Sequence, residues 1–234
     1  AQTLGTIDNP HSSMAKVRFV PNLTIAFKRG TTYKTDQQIV IENDNVAFMS
    51  YGESTERPII ESTVESYAMV GHYQGVKNII IRDLEIHSIG GAASITFNPA
   101  DGNNGNISII NCKLHGGTWG LRSMGTTGLL VENTEVYDTG DDGMFIAWDN
   151  DIEIRNCYVH DVNTNWKPPH TPESEAGGDA IQLADCDDWH VHHNLLDRSS
   201  SGNKFCFISN DANQKNGIFE HNKLIGRHFD LSSI

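Results

Sequence analysis

Apolar and polar positions repeat along this chain as a unit of eight residues, mostly apolar at the first, third and eighth places. The fifth place is Asn, Asp or His. The unit is read at Ile79–Ile86, Ile107–Leu114, Leu129–Val136, Ile152–Val159, Trp189–Leu196 and Ile218–Ile225. A second short apolar segment lies between successive units: Ile95–Phe97, Gly120–Ser123, Gly143–Ile146, Ala180–Leu183 and Phe205–Ile208. The segments alternate with period two, are rich in β-branched residues and are broken by Gly, Asn and Asp, which predicts strands rather than helices. A period of roughly 22 to 37 residues, with the extra length confined to one place, predicts a solenoid. Equivalent strands of successive coils then stack in parallel, each coil burying its own inward row.

The fifth-place column, Asp83, Asn111, Asn133, Asn156, His193 and Asn222, is expected at a bend. Asn tolerates the left-handed conformation there, and stacked amides can bond along the column. The expected fold is all-β, a single parallel β-helix of about eight coils. Residues 1–36 read as a lead-in and cap, 37–225 as coils and 226–234 as a tail. So short a tail leaves the C-terminal coil open. Either the chain is a fragment, or another copy stacks there and gives a homo-oligomer through that coil.

A formal net charge of −13 argues against nucleic acid and anionic membrane surfaces as partners. No apolar run approaches the roughly 20 residues of a membrane span. Cys112 and Cys157 share a column two coils apart, too far to bridge, and Cys186 and Cys206 fall in different columns, so all four are expected reduced and buried. The chain begins Ala1-Gln-Thr without Met, read as a processed end of a secreted protein.

The longest excursion from the repeat runs from Asp161 to Gly178, and long loops on a rigid scaffold mark the candidate binding side. Aligning the second segments puts Trp119, Asp142, Asp179 and Lys204 in one column, with Asp141, Glu173 and Glu175 close by. The outward row of the same segment reads Thr96, Arg122, Phe145, Gln182 and Phe207, and Trp148, Asp149, Asp185, Asn210 and Asp211 lie beyond its end. Asp142 and Asp179 one coil apart, at about 5 Å, need a neutraliser. A metal, a shared proton or Lys204 one coil on would serve, and Ca²⁺ held by Asp141, Asp142, Asp179 and Glu175 is the natural one; bonds from these carboxylates to turn amides are the competing reading. His87, His115, Tyr137 and His160 form a column expected to stack outward at a turn. His190 and His192 share a strand face, without a third ligand that would make a zinc site.

The coil pattern, the Asn column and the Gly-Asp-Asp-Gly143 and Gly-Gly-Asp-Ala180 turns resemble the right-handed parallel β-helix proteins of the pectate-lyase-like superfamily. So do Phe27-Lys-Arg-Gly-Thr-Thr-Tyr33, Ser50-Tyr-Gly52 and Arg57-Pro-Ile-Ile60. The resemblance implies a right-handed coil, which parallel crossovers also favour. It also implies a polysaccharide lyase that removes the C5 proton of a uronic acid and eliminates the 4-linked sugar, with the carboxylate neutralised by Ca²⁺ or by Arg. Carried onto this chain, Lys204 becomes the base, Arg122 the carboxylate partner, and His170 and Arg198 catalytic candidates from loops. Trp119, Phe145, Gln182, Phe207 and Trp166 become the surface that binds an acidic polysaccharide. The Arg-x-Pro-x-x-Arg arrangement of pectate lyases, the Asp-Pro-His motif of alginate epimerases and the His-Gly and Arg-Ile-Lys motifs of polygalacturonase-type hydrolases are missing. A non-catalytic glycan-binding or structural β-helix is therefore the competing expectation.

Overall fold

The computed structural model describes residues 2–3, 21–98, 104–164, 178–199, 205–209, 215–226 and 229–230. Among them there is no helix, and hence none long and apolar enough to cross a membrane. The strands form three parallel sheets of nine, eight and eight strands, and each sheet gains one strand per coil. The number of coils is close to the expected eight.

Each eight-residue unit breaks at its bend. The residues before it enter the first sheet, as in Asn104–Ile110, Thr126–Glu132 and Asn150–Arg155. Those after it form the second sheet, as in Lys113–Gly116 and Glu135–Tyr137. The intervening segments build the third sheet through Ala93–Phe97, Trp119–Met124, Met144–Ala147, Ile181–Ala184 and Phe207–Ser209.

Asp83, Asn111, Asn133, Asn156 and His193 all bend with φ between 49° and 59°. In the last unit this role falls to His221 (φ 54°) rather than to the expected Asn222, because His192 pairs with Glu220 and shifts the unit by one residue. The Asn222 carboxamide oxygen instead accepts the Asn194 N–H at 2.9 Å. A second amide column runs at the start of the first-sheet strands, where Asn106 donates to Asn78 and Asn78 to Asn45, both at 2.9 Å.

The interior is built of aligned rows. Ile79, Ile107, Leu129, Ile152 and Trp189 follow one another in register in the first sheet, and Ile86, Leu114, Val136, Val159 and Leu196 in the second. All are buried, and each such side chain contributes roughly 1.5–3 kcal/mol. The fit is tight where the chain enters the third sheet. A Cβ on Gly143 would lie 2.5 Å from Val159 Cγ1 and 2.7 Å from the Ala180 carbonyl, which explains the glycine.

The four cysteines are free and buried, as expected. Burial pushes the thiols of Cys112, Cys157 and Cys186 up to about 12, and Cys112 and Cys157 each donate to a backbone carbonyl at 3.3 Å. The coils begin earlier than position 37, since Leu23–Lys28 already pairs with Ala47–Tyr51 and Thr32–Thr35 with Ile59–Ser62. Phe229–Asp230, inside the expected tail, adds a strand to the third sheet.

Candidate glycan-binding site

The outer face of the third sheet collects the polar and aromatic residues picked out by their repeat positions. Its outward row runs Thr96, Arg122, Phe145, Gln182 in register. The next residue is Ile208, not Phe207. Phe207 points inward and is fully buried, 5.5 Å from Trp189 and 4.5 Å from Phe219 by ring centroids, so it is core and not a binding residue. The two-residue alternation of a strand accounts for the correction: a slip of one position exchanges the faces.

Arg122 is half-buried, and its Nε and Nη1 are enclosed with no hydrogen-bond partner. Its guanidinium carbon lies 5.4 Å from the centre of the Trp119 ring, a cation–π contact. Phe145 stands beside Trp119 at 6.3 Å with the rings tilted by 41°. Thr96, next to Arg122 in register, has a buried hydroxyl that is likewise unpartnered. Enclosed donors on a cation are costly unless an anion or a polar ligand meets them. The arrangement suits a carboxylate flanked by a ring that aromatic faces can cover.

The aspartates at the head of the sheet serve the backbone. Asp142 Oδ1 accepts the Asp179 N–H at 2.7 Å, and Asp179 Oδ1 accepts the Phe205 N–H at 2.6 Å. Each carboxylate thus ties its own turn to the corresponding turn of the next coil. Burial, and then the charge of Asp141, push the Asp142 carboxyl well above its usual range. Trp119 opposes that rise only weakly, because its indole Nε1 is buried short of a well-formed hydrogen bond.

Arg198, expected to reach the cleft from a loop, is instead buried and donates to the Val162 carbonyl at 2.7 Å. Burial lowers its pKa, while Asp179, Asp142 and Asp141 act to raise it. Arg198 is therefore the interior countercharge for this acidic cluster, where the repeat alignment predicts Lys204 or a metal. Lys204, His170, Trp166 and Glu175 lie outside the described residues.

Asp142 and Asp179, two of the four residues expected to hold calcium, fit it poorly. Asp142 and Asp179 are buried and each already accepts a backbone N–H, whereas Ca²⁺ takes six to eight oxygen ligands. Among the described residues, no group of three or more His, Cys, Asp or Glu is placed to hold a metal ion.

Two features at the far end of the same sheet went unassigned in the sequence. Asp149 is buried and accepts the Ser123 hydroxyl at 2.6 Å and the Thr126 N–H at 2.7 Å. Burial, only partly offset by these bonds, pushes its pKa up to about 7. Trp148, immediately before it, is 59% exposed, has φ 56° and donates from Nε1 to Asp185 Oδ2 at 3.1 Å.

The histidine column of the second sheet stacks as expected. His87 and His115 lie 4.2 Å apart, His115 and Tyr137 4.6 Å, and Tyr137 and His160 5.3 Å. These rings cover one another, and His115 and His160 also contact Glu85 and Glu135 at 3.1 and 3.2 Å. The column is thus bound up in its own contacts. His190 and His192 stack at 4.0 Å, each against a different glutamate.

Comparison with known proteins bears on the fold. A family model described as a right handed beta helix region matches residues 33–226. No curated protein matches the sequence. An alginate lyase from Paenibacillus sp. str. FPU-7 superposes with a TM-score of 0.43 at 10% identity, over 97% of this chain and 96% of that one. ORF18 of Geobacillus virus E2 gives 0.41 at 11% identity, over 86% of this chain and 52% of that one. The catalytic domain of a GH87 α-1,3-glucanase gives 0.29 at 10% identity, over 83% and 34%.

Proposed function

From a chain that belongs to the right-handed β-helix family, we propose a protein that binds a uronic-acid-containing polysaccharide along its third sheet and cleaves it by β-elimination. The observation that carries the proposal is Arg122: a half-buried guanidinium with two unpartnered nitrogens, against the Trp119 ring and in register with Phe145 on an outward row. A sugar carboxylate meeting the guanidinium would make charge-assisted bonds and offset its burial, and Trp119 and Phe145 would flank the ring that carries it. Gln182 extends the row by one coil.

In the proposed reaction a base takes the proton from C5 of the uronate, and the electron pair left behind forms the C4–C5 double bond. The 4-linked oxygen departs and takes up a proton. Arg122 would hold the carboxylate so that charge developing at C5 is stabilised, and Lys204 is the proposed base. No step is routed through calcium, given how Asp142 and Asp179 are committed. The same reading puts the protein outside the cell, where polymeric substrates are met.

A second reading, binding without cleavage, is favoured by one observation: the two aligned aspartates serve the fold rather than an open cleft. The two share the binding claim, so binding is tested first. Calorimetric titration with short alginate and polygalacturonate oligomers should show binding by the unaltered protein, weakened at least about tenfold in Arg122→Gln with the unfolding midpoint unchanged. Equal affinity in the variant would remove Arg122 from the site.

A further inference from the structure

We propose that Trp148 is a second sugar-binding position, a fixed aromatic platform that stacks against the apolar face of a pyranose ring. The inference rests on the glycan-binding reading above and extends it beyond the outward row of Arg122.

Register sets Trp148 level with Gly125 in the preceding coil and Asp185 in the next, at the bend where the chain leaves the third sheet. All three take the left-handed conformation, with φ 68°, 56° and 55°. Gly and Asp suit that bend; a bulky aromatic residue does not. Nor does Trp148 repay the strain by packing, since it is 59% exposed while the adjacent Asp149 turns inward and anchors the bend. A strained, exposed indole that adds nothing to the core points to a role outside the fold.

The indole is also held in orientation. Its Nε1 donates to Asp185 Oδ2 at 3.1 Å, which fixes the ring before any ligand arrives. A pre-oriented ring loses little freedom on binding, which is what a stacking surface requires. Trp148 lies three residues beyond Phe145 on the same run of chain, about 10 Å along the strand direction. A glycan that runs from Arg122 past Phe145 in the strand direction would meet it as the next aromatic contact. The indole face offers the negative side of its quadrupole to the C–H bonds of a sugar ring.

The test pairs affinity with stability for Trp148→Gly and Trp148→Phe, using short alginate and polygalacturonate oligomers in calorimetry and thermal unfolding of each protein. Trp148→Gly is expected to bind about tenfold more weakly while its unfolding midpoint stays level or rises, because glycine relieves the bend. Trp148→Phe keeps a ring without the bond to Asp185 and should fall between. If the unaltered protein binds an oligomer and Trp148→Gly binds it equally well, this inference is wrong while the glycan reading stands. A midpoint that falls in Trp148→Gly makes the tryptophan structural and overturns the inference too. Failure of the unaltered protein to bind either oligomer refutes the glycan reading and this inference together.

Discussion

Two residues show how burial without a partner, or with one, sets function apart from fold. Arg122 keeps two enclosed nitrogens without acceptors, so the fold gains little from its charge beyond the Trp119 contact, and Arg122→Gln should change affinity far more than stability. Asp149 is the reverse case, a carboxylate fully engaged by Ser123 and Thr126 yet raised to about 7 by its burial. Its folded pKa lies above the unfolded value of 3.8, so the folded state binds the extra proton. The stability it confers is present below pH 3.8 and is lost as pH rises toward about 7. A shift of this size corresponds to something on the order of 4 kcal/mol across that window. Replacing the carboxylate by an amide removes the titration. The stability of Asp149→Asn minus that of the unaltered protein should therefore climb between those pH values and level off above them. A difference independent of pH would show that Asp149 does not titrate there.

At the scale of the elements, the three-strand coil was legible because its chemistry is written once per coil. Asn111, Asn133 and Asn156 announce the first bend, and the alternation of Ile107, Ile109 and Leu114 fixes which faces are inward. Register was harder to read where the marks are ambiguous. The pair His221-Asn222 offers two candidates for one bend, and the run Phe205-Cys206-Phe207-Ile208 offers apolar residues at both phases, so the alignment turns Phe207 outward although it is core. The site was legible to about the same depth. Arg122, Trp119, Phe145 and Gln182 share the third sheet as the alignment required, whereas Arg198 turned inward because the acidic cluster needs a buried countercharge. A Trp in a left-handed bend leaves no local signal in sequence beyond its alignment with Gly125 and Asp185.

The stacked column of the second sheet belongs to the same scale. A hydrogen bond from His115 holds Glu85 below its usual range, and at Glu135 the pull of Lys113 and His160 outweighs the cost of burial. Depressed carboxylates stabilise the fold above their unfolded pKa, 4.5 for Glu, and that contribution is lost as pH falls through the lower folded value. Glu85→Gln should accordingly flatten the acid limb of a stability profile below pH 4.5, opposite in sign to the effect of Asp149. An unchanged acid limb would remove the His115–Glu85 pair from the account.

For the whole molecule, the solenoid keeps its core and its chemistry on separate sides of the same strands. The inward rows repeat with little variation and hold the coils together, while the outward row of the third sheet changes at every coil, from Thr96 to Arg122 to Phe145 to Gln182. A rigid face whose side chains change one coil at a time can meet successive units of a polymer. With a net charge of −13, such a protein would hold an acidic chain only beside a cation, and Arg122 is the cation on this row.

The most direct test of this account follows the ultraviolet absorbance of the unsaturated uronate formed when alginate or polygalacturonate is cleaved by elimination. The account predicts that absorbance rises with the unaltered protein, survives addition of a chelator because Arg122 rather than a metal neutralises the carboxylate, and disappears in Arg122→Gln. An absorbance that stays flat on both polymers while the unaltered protein still binds them would contradict cleavage and leave a glycan-binding β-helix in its place.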